Sequence, residues 1–236
     1  MSRTHISRKY LEKRTPDVRW VARLAHTSLQ NAKAYISEAA NDYELANHLD
    51  EELSRGGRAS YVQISSPFEL YALTRVLKPK HVVEIGVSAG VSSAYFLRAL
   101  ERNKKGKLHS IDLPEQQTER QISSNRQISW ALPPGKSSGW AVPNYLRSRW
   151  NLLIGSSGKV LPHLINDLDC IGIFLYDIPY TMKSAIADFE ISDTKLEKGS
   201  VVLADNALGP IRWWARRRNE RVYRRKGFGL RGFAIQ

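Results

Sequence analysis

The sequence predicts an α/β protein in which a doubly wound, mostly parallel β-sheet carries helices on both faces. After residue 80, short apolar runs typical of buried strands alternate with segments of helical spacing. The last runs flank residues 226–229, a glycine-containing turn typical of a terminal antiparallel hairpin. The 236 residues are enough for one such domain with a sizeable core.

The elements follow from local signals. Residues 1–55 are rich in helix-forming residues and end near the breaker pair Gly56-Gly57, which predicts a helical extension over residues 1–58. Ser66-Pro67 opens a further helix at the start of a second domain, residues 59–236. Strands are predicted at residues 81–85, 107–111, 152–154, 171–176 and 200–204, helices at 91–102, 159–165 and 181–195, and hairpin strands at 221–223 and 230–235.

The net charge of +13 is concentrated at the two ends of the chain and favours anionic partners. A solvated basic surface and a contact within a homodimer are the alternatives. No apolar run approaches the ~20 residues that cross a bilayer. No apolar segment follows the basic N-terminus either, so we expect a cytoplasmic protein. Cys170, the only cysteine, is interpreted as a small core residue.

The strongest chemical signal is the segment 81–93, where a β-branched run leads into a glycine turn and a helix start. Glycine lets the backbone turn sharply and approach a ligand, and free amides at a helix start receive negative groups. A dinucleotide site requires G-x-G-x-x-G, but Ser88 stands at the second glycine. The P-loop pattern G-x-x-x-x-G-K-[ST] is excluded at Lys136, because Trp130 stands at the position of its first glycine.

The pattern that remains is E-x-G-x-x-x-G, formed by Glu84, Gly86 and Gly90. It suits S-adenosylmethionine, which has a carboxylate, an ammonium and a ribose but no phosphate; a purely structural turn is the alternative. Asp112 strengthens the first interpretation, because an acid at the tip of the next strand can accept hydrogen bonds from both ribose hydroxyls. A cap of a turn is the other role open to Asp112.

These motifs resemble those of the class I S-adenosylmethionine-dependent methyltransferases. Within that class the sequence is most similar to the O-methyltransferase branch that includes catechol O-methyltransferase and the caffeoyl-CoA enzymes. The resemblance covers roughly residues 60–236. It rests on residues 83–92, 110–112, 155–157 with 161–162, 174–177 and 202–206.

The resemblance implies a Rossmann-like, seven-stranded sheet in the order 3-2-1-4-5-7-6, with the hairpin as strands 6 and 7. It implies that Gly86 and Ser92 face the methionine end of the cofactor, that Asp112 holds the ribose, and that Ser156 lies near the adenine. The residues expected to bind the cofactor are Glu84, Gly86, Ser88, Gly90, Ser92, Asp112, Leu113, Ser156 and Asp177.

Asp177 ends the fourth apolar strand and Asp205-Asn206 ends the fifth, so neighbouring strands would bring three oxygen donors together. Such donors suit Mg²⁺, which in the resembling enzymes lowers the pKa of the acceptor hydroxyl and orients it. The chain departs from the family pattern, because no Lys or His follows Asp177 directly. Tyr180 and Lys183 are the remaining candidates for the base. Without an ion, Asp177 would contact the ammonium of the cofactor and Asp205 would cap a loop.

Residues 114–149 interrupt the alternation with many prolines, glycines and tryptophans. We interpret them as an insertion that forms a lid over the acceptor, with Trp130 and Trp140 in the lid and Trp213-Trp214 as a further wall. Packing of these rings into a satellite core is the alternative. His109 and His163 are interpreted as packed or surface histidines rather than catalysts.

The leading functional hypothesis is O-methylation of a small-molecule hydroxyl, on an acceptor whose anionic character would match the basic surface. Methylation of RNA or protein through the C-terminal arginines is an alternative that we do not favour, because no Asn-Pro-Pro-Tyr motif is present. The missing Lys also leaves open a non-catalytic binding module with a methyltransferase fold.

Overall fold

The computed structural model describes residues 15–56, 67–113, 132–133, 135–178, 181–205, 207–226 and 229–236. Its helices are α1 Val18–Leu24, α2 Leu29–Ala40, α3 Tyr43–Arg55, α4 Pro67–Leu77, α5 Val91–Asn103, α6 Ser157–Asp167, α7 Met182–Asp193 and α8 Leu208–Arg217, with a 3₁₀-helix at Asn144–Arg149. Its strands are β1 His81–Ile85, β2 Lys107–Asp112, β3 Trp150–Ile154, β4 Ile171–Tyr176, β5 Leu196–Ala204, β6 Tyr223–Arg224 and β7 Arg231–Ala234.

The strands form one seven-stranded sheet in the order β3-β2-β1-β4-β5-β7-β6. The first five strands are parallel, and β7 runs antiparallel to β5 and β6. This arrangement confirms the fold predicted above. Ile85 lies opposite Ile111 on one side and Tyr176 on the other, and Tyr176 lies opposite Ala204. The segments that follow β1, β2, β4 and β5 therefore leave the sheet at one edge, the carboxyl edge.

The sheet is covered on both faces, because successive side chains of a strand point to opposite sides. Val82 and Leu175 belong to the core beneath α1–α5, whereas Val83 and Phe174 belong to the core beneath α6–α8. Burial on both faces explains why the strands read as continuous apolar runs rather than as alternating patterns.

The N-terminal helices share the first core with the sheet. Asp42, at the start of α3, accepts hydrogen bonds from Arg98 at 2.7 Å and Arg102 at 2.9 Å, both on α5. The buried Arg225 donates to Glu69 of α4 at 2.6 Å and so ties the C-terminal hairpin to the same side. The predicted boundary at residue 58 lies outside the described residues, and the division into two domains stays a prediction.

Helix α8 is an element that the sequence pattern did not predict. Gly209-Pro210 near its start reads as a turn signal, yet Ile211 and Trp214 are buried against the second core. Trp214 is 1% exposed, and its Nε1 donates to Asp193 at 2.5 Å. The prediction that Trp214 forms a wall of the acceptor site is therefore wrong, because its ring is enclosed in the core.

The basic C-terminal segment serves the fold as well as the surface. Arg212 and Arg216 are exposed on α8. Arg218 and Arg225, in contrast, form ion pairs with acidic residues of the core helices. Only part of the positive charge is therefore available to an anionic partner.

Cys170 lies half-buried just before β4 rather than within the core, which corrects its predicted placement. Burial raises the pKa of its thiol.

Among the helices of the described ranges, none combines the length and apolar character needed to span a membrane.

His109 on β2 is a packed histidine, as predicted. Its Nε2 lies 3.0 Å from Nδ1 of His81 on β1, and its Nδ1 lies 3.4 Å from the amide nitrogen of Asn151. Burial, together with the neighbouring His81 and Lys107, lowers the pKa of His109 to about 4 from 6.5. Burial also lowers the pKa of His81.

This pair makes stability depend on pH in the mildly acidic range. Between pH 6.5 and pH 4 the unfolded chain binds a proton at residue 109 that the folded chain excludes, so acid favours unfolding. We expect the free energy of unfolding, measured with urea, to fall by about 2 kcal/mol more between pH 7 and pH 5 in the wild type than in His109→Gln. The control His163→Gln, at an exposed helix position, should behave as the wild type. Equal losses in all three proteins would contradict the assignment.

Candidate functional site

The candidate site is built over Glu84, a fully buried carboxylate on β1. Its Oε1 accepts a hydrogen bond from the hydroxyl of Ser92 at 2.5 Å, and its Oε2 accepts bonds from Ser93 and Ser110 at 2.6 Å each. Burial raises the pKa of Glu84, and the three serine bonds counteract that rise. The carboxylate thus joins β1, β2 and the first turn of α5 beneath the loop that follows β1.

Two residues that were predicted to bind the cofactor, Glu84 and Ser92, belong to this network. The side chains of Glu84 and Ser92 are engaged with each other. Their direct contact with a cofactor stays a prediction, whereas their role in fixing the start of α5 is visible in the structure. The serines at positions 93 and 110 were missed by sequence reasoning, because a serine in a helix or strand carries no signal of its partner.

The loop between β1 and α5 adopts three left-handed backbone conformations. Gly86 has φ +99° and Gly90 has φ +88°. A Cβ at Gly86 would lie 2.1 Å from the carbonyl oxygen of Asp177, so a side chain there would collide with the neighbouring backbone. Ser88 has φ 52°, although it is not glycine. The residue that breaks the dinucleotide pattern therefore still adopts a glycine-like conformation.

Asp112 ends β2 next to this loop. Its Oδ2 accepts the backbone N–H of Ser88 at 3.0 Å, and its Oδ1 accepts the N–H of Leu113 at 3.1 Å. The N–H of Gly155 donates to the carbonyl oxygen of Asp112 at 2.8 Å, which brings the turn containing Ser156 to the same place. The two backbone bonds orient the carboxylate and leave other lone pairs for a ligand, because a carboxylate has about four acceptor sites.

Asp177 and Asp205 follow the neighbouring strands β4 and β5. The N–H of Asp177 donates to Ile85 at 2.8 Å, and the N–H of Asp205 donates to Tyr176 at 3.0 Å, which places both acids at the carboxyl edge. Asp205 is buried, whereas Asp177 as a whole residue is exposed. Desolvation of the Asp177 carboxyl by the protein around it, together with the nearby charges of Asp205 and Glu84, raises its pKa.

The predicted metal ligands are brought together only in part. Asp177 and Asp205 are neighbours, but Asn206 lies outside the described residues. Within the described part of the chain, no group of three or more His, Cys, Asp or Glu side chains could hold a metal ion. The metal site therefore stays a prediction.

The candidates for the base are also only partly described. Tyr180 lies outside the described residues. Lys183 lies in the first turn of α7 and is exposed, close in sequence to Asp177 at the carboxyl edge. Its catalytic role stays a prediction. His163 is exposed on α6, which agrees with its interpretation as a surface histidine.

Part of the predicted lid, residues 135–149, packs on the body of the protein. The ring of Trp140 lies against Gly56 at the end of α3, since a Cβ added to Gly56 would be 2.3 Å from that ring. The Nζ of Lys136 lies 4.7 Å from the centroid of the Trp140 ring. Trp130 lies outside the described residues. Residues 139–142 contact the loop after β1, a contact that sequence reasoning missed because pairing between two loops leaves no periodic pattern.

The chain is similar to known proteins in both sequence and fold. The sequence profile of a family described as a methyltransferase domain matches residues 83–207, a range that includes the loop after β1, Asp112, Asp177 and Asp205. No curated protein sequence matches the chain.

Solved structures share the fold at low sequence identity. An O-methyltransferase from Bacillus cereus in complex with SAH is 15% identical, with a TM-score of 0.56, covering 82% of this chain and 91% of that one. The O-methyltransferase TomG from Streptomyces achromogenes in complex with SAM is 15% identical, with a TM-score of 0.56, covering 86% and 95%. A putative O-methyltransferase from Klebsiella pneumoniae is 13% identical, with a TM-score of 0.58, covering 83% and 91%.

The close approach at Gly86 leads to a stability prediction with a matched control. Gly199 also has a positive φ, +89°, but a Cβ there would meet no atom within 4 Å. Gly199→Ala should therefore cost about 1 kcal/mol for the left-handed backbone alone. Gly86→Ala, which also meets the backbone of Asp177, should cost about 3 kcal/mol in the free energy of unfolding measured with urea. Similar losses for both variants would contradict the close approach.

Proposed function

Because the chain belongs to the methyltransferase-domain family and has the class I methyltransferase fold, we propose that it is an S-adenosylmethionine-dependent O-methyltransferase acting on a small-molecule hydroxyl. One observation carries the proposal. The carboxylate of Asp112 is held by the amide of Ser88 beside a glycine loop at the carboxyl edge of a parallel sheet. That edge is where doubly wound folds bind ligands.

The residues present fit a nucleoside with a sulfonium group. Asp112 retains acceptor capacity for two ribose hydroxyls, and the glycines leave room for a ligand to approach the backbone of the loop. No lysine or arginine occurs in the loop, residues 86–90, which agrees with a ligand that lacks phosphate. When bound, S-adenosylmethionine supplies an electrophilic methyl group, so the protein has mainly to orient the acceptor and help remove its proton.

The acids beyond β4 and β5 are suited to that second task. Either carboxylate of Asp177 and Asp205 can accept a hydrogen bond from an acceptor hydroxyl and so orient its oxygen. Among the described residues, the candidate base closest in sequence to Asp177 is Lys183, in the first turn of α7. The O-methyltransferases of similar fold support a hydroxyl as the acceptor. Exposed arginines such as Arg212 would suit an anionic one.

The cofactor proposal is tested by direct binding. We expect Asp112→Ala to weaken the binding of S-adenosylmethionine by about 10- to 100-fold in isothermal titration calorimetry, because it removes a charged acceptor of two hydrogen bonds. Asp169→Ala is the control, since Asp169 lies before β4 at the opposite edge of the sheet. Absence of binding to the wild type would refute the enzymatic proposal, and full affinity in Asp112→Ala would refute the ribose assignment.

Assistance by Mg²⁺ is the finer part of the proposal. Two hard oxygen donors suit the ion, but the described residues alone do not complete a site, so no step depends on it. Because a cation would relieve the repulsion between Asp177 and Asp205, we expect millimolar Mg²⁺ to raise the unfolding temperature of the wild type but not of Asp177→Asn. Asp169→Asn, far from the pair, should respond as the wild type. EDTA should reverse the effect, and equal shifts in all three proteins would exclude this site.

A further inference from the structure

We propose that Arg147 and Trp150 are positioning residues that hold the loop after β1 in its cofactor-binding conformation. They act through residues 139–142, which we name the strap. The inference rests on the proposed function, since it concerns the same site. Neither residue belongs to the set that the sequence predicted to bind the cofactor, and both come from the segment that enters β3.

The strap is hydrogen-bonded directly to the loop. The N–H of Gly139 donates to the carbonyl oxygen of Ser88 at 2.7 Å, and the N–H of Ala141 donates to that of Ala89 at 3.0 Å. The contact is also close in space, because a Cβ at Gly90 would lie 2.8 Å from the Cα of Gly139. The strap therefore holds the loop through two backbone hydrogen bonds and a close backbone contact.

These bonds act on the residue that orients Asp112. Ser88 donates its own N–H to Oδ2 of Asp112, while its carbonyl oxygen accepts from Gly139. Its left-handed conformation costs about 1 kcal/mol in a residue other than glycine, so the surroundings must stabilise it. The strap supplies that stabilisation and thereby sets the direction in which the Ser88 amide points.

The strap is in turn held by Trp150 and Arg147. The ring of Trp150 lies against Gly139, where a Cβ would be 2.1 Å from it, and Gly139 itself has φ +71°. The Nε1 of Trp150 donates to Ser110 at 2.9 Å, which anchors the ring to the network of Glu84. The strap therefore packs on the ring of Trp150, and a hydrogen bond to Ser110 holds that ring in place.

Arg147 binds the strap directly. Its Nη2 donates to the carbonyl oxygens of Gly139 at 2.9 Å and Val142 at 3.1 Å, the two ends of the strap. Its guanidinium carbon also lies 5.2 Å from the centroid of the Trp150 ring. A guanidinium is suited to this role, because its planar group of donors can bind two carbonyl oxygens at once.

A continuous series of contacts therefore runs from Arg147 through the strap to Ser88 and Asp112. Loss of any step should lower the population of the loop conformation that orients Asp112. Apparent affinity for a ligand falls in proportion to the population of the binding-competent state. Arg147 and Trp150 should thus affect cofactor affinity without contacting the cofactor.

The first experiment compares Arg147→Met with Arg149→Met. Both arginines lie in the 3₁₀-helix and both donate to backbone carbonyls, but Arg149 bonds Gly106 before β2, at the opposite edge of the sheet. We expect Arg147→Met to weaken the binding of S-adenosylhomocysteine at least 10-fold in calorimetry and Arg149→Met to leave it unchanged. Arg147→Lys, which keeps a positively charged donor group but loses the planar guanidinium, should recover part of the affinity.

The second experiment measures amide hydrogen exchange in the absence of ligand. The amides of Gly139 and Ala141 should exchange at least 10-fold faster in Arg147→Met, while amides within β4 keep the protection of the wild type. Trp150→Phe, which keeps a ring but removes the Nε1 donor, should show the same two effects. Trp20→Phe is its control, because the Nε1 of Trp20 also donates to a backbone carbonyl, that of Tyr223, outside the site.

The outcomes separate this inference from the proposed function. Failure of the wild type to bind S-adenosylhomocysteine would refute the proposed function, and the positioning inference with it. Binding by the wild type with unchanged affinity in Arg147→Met and Trp150→Phe would overturn the inference alone. Faster exchange of the strap amides with unchanged affinity would overturn it too, since the strap would then be structural only.

Discussion

The buried carboxylate of Glu84 is the interaction on which the rest of the site depends. A charge removed from water is costly unless hydrogen bonds replace its hydration, and three serine hydroxyls provide them here. These serines come from the first turn of α5 and from β2, so satisfying one carboxylate fixes the relative position of three elements. The loop between β1 and α5 is held at both of its ends by this requirement.

The parallel sheet then determines which groups can meet. Because β1, β2, β4 and β5 run in the same direction with aligned register, the loop after β1, Asp112, Asp177 and Asp205 all emerge at one edge. Desolvation by the surrounding protein raises the pKa of the Asp177 carboxyl, and repulsion by Asp205 and Glu84 adds to that rise. A site that concentrates negative charge and left-handed backbone in this way gives up stability locally, and the two large cores on either side of the sheet compensate for it.

Much of this arrangement could be predicted from the sequence, for reasons that differ between residues. Gly86 and Gly90 were recognisable because their spacing after an apolar strand is a local pattern, and Asp112 because it ends the next strand. Ser88 counted against a dinucleotide site in the sequence, yet its backbone is as left-handed as that of a glycine. Helix α8 was missed because Gly209-Pro210 suggests a turn, although tertiary burial of Ile211 and Trp214 stabilises a helix there.

Short segments were enough to predict most of the strands and helices, a mostly parallel sheet, and the residues at the carboxyl ends of its strands, since periodicity is a local property. The order of the strands was predicted from the resemblance of the motifs to those of the class I methyltransferases. The surroundings of those residues, in contrast, depend on how the folded chain packs. The enclosure of Trp214, the serine partners of Glu84 and the contact of residues 139–142 with the loop all join segments that are distant along the chain. Such contacts depend on packing and on the pairing of buried polar groups, which leave no periodic trace in the sequence.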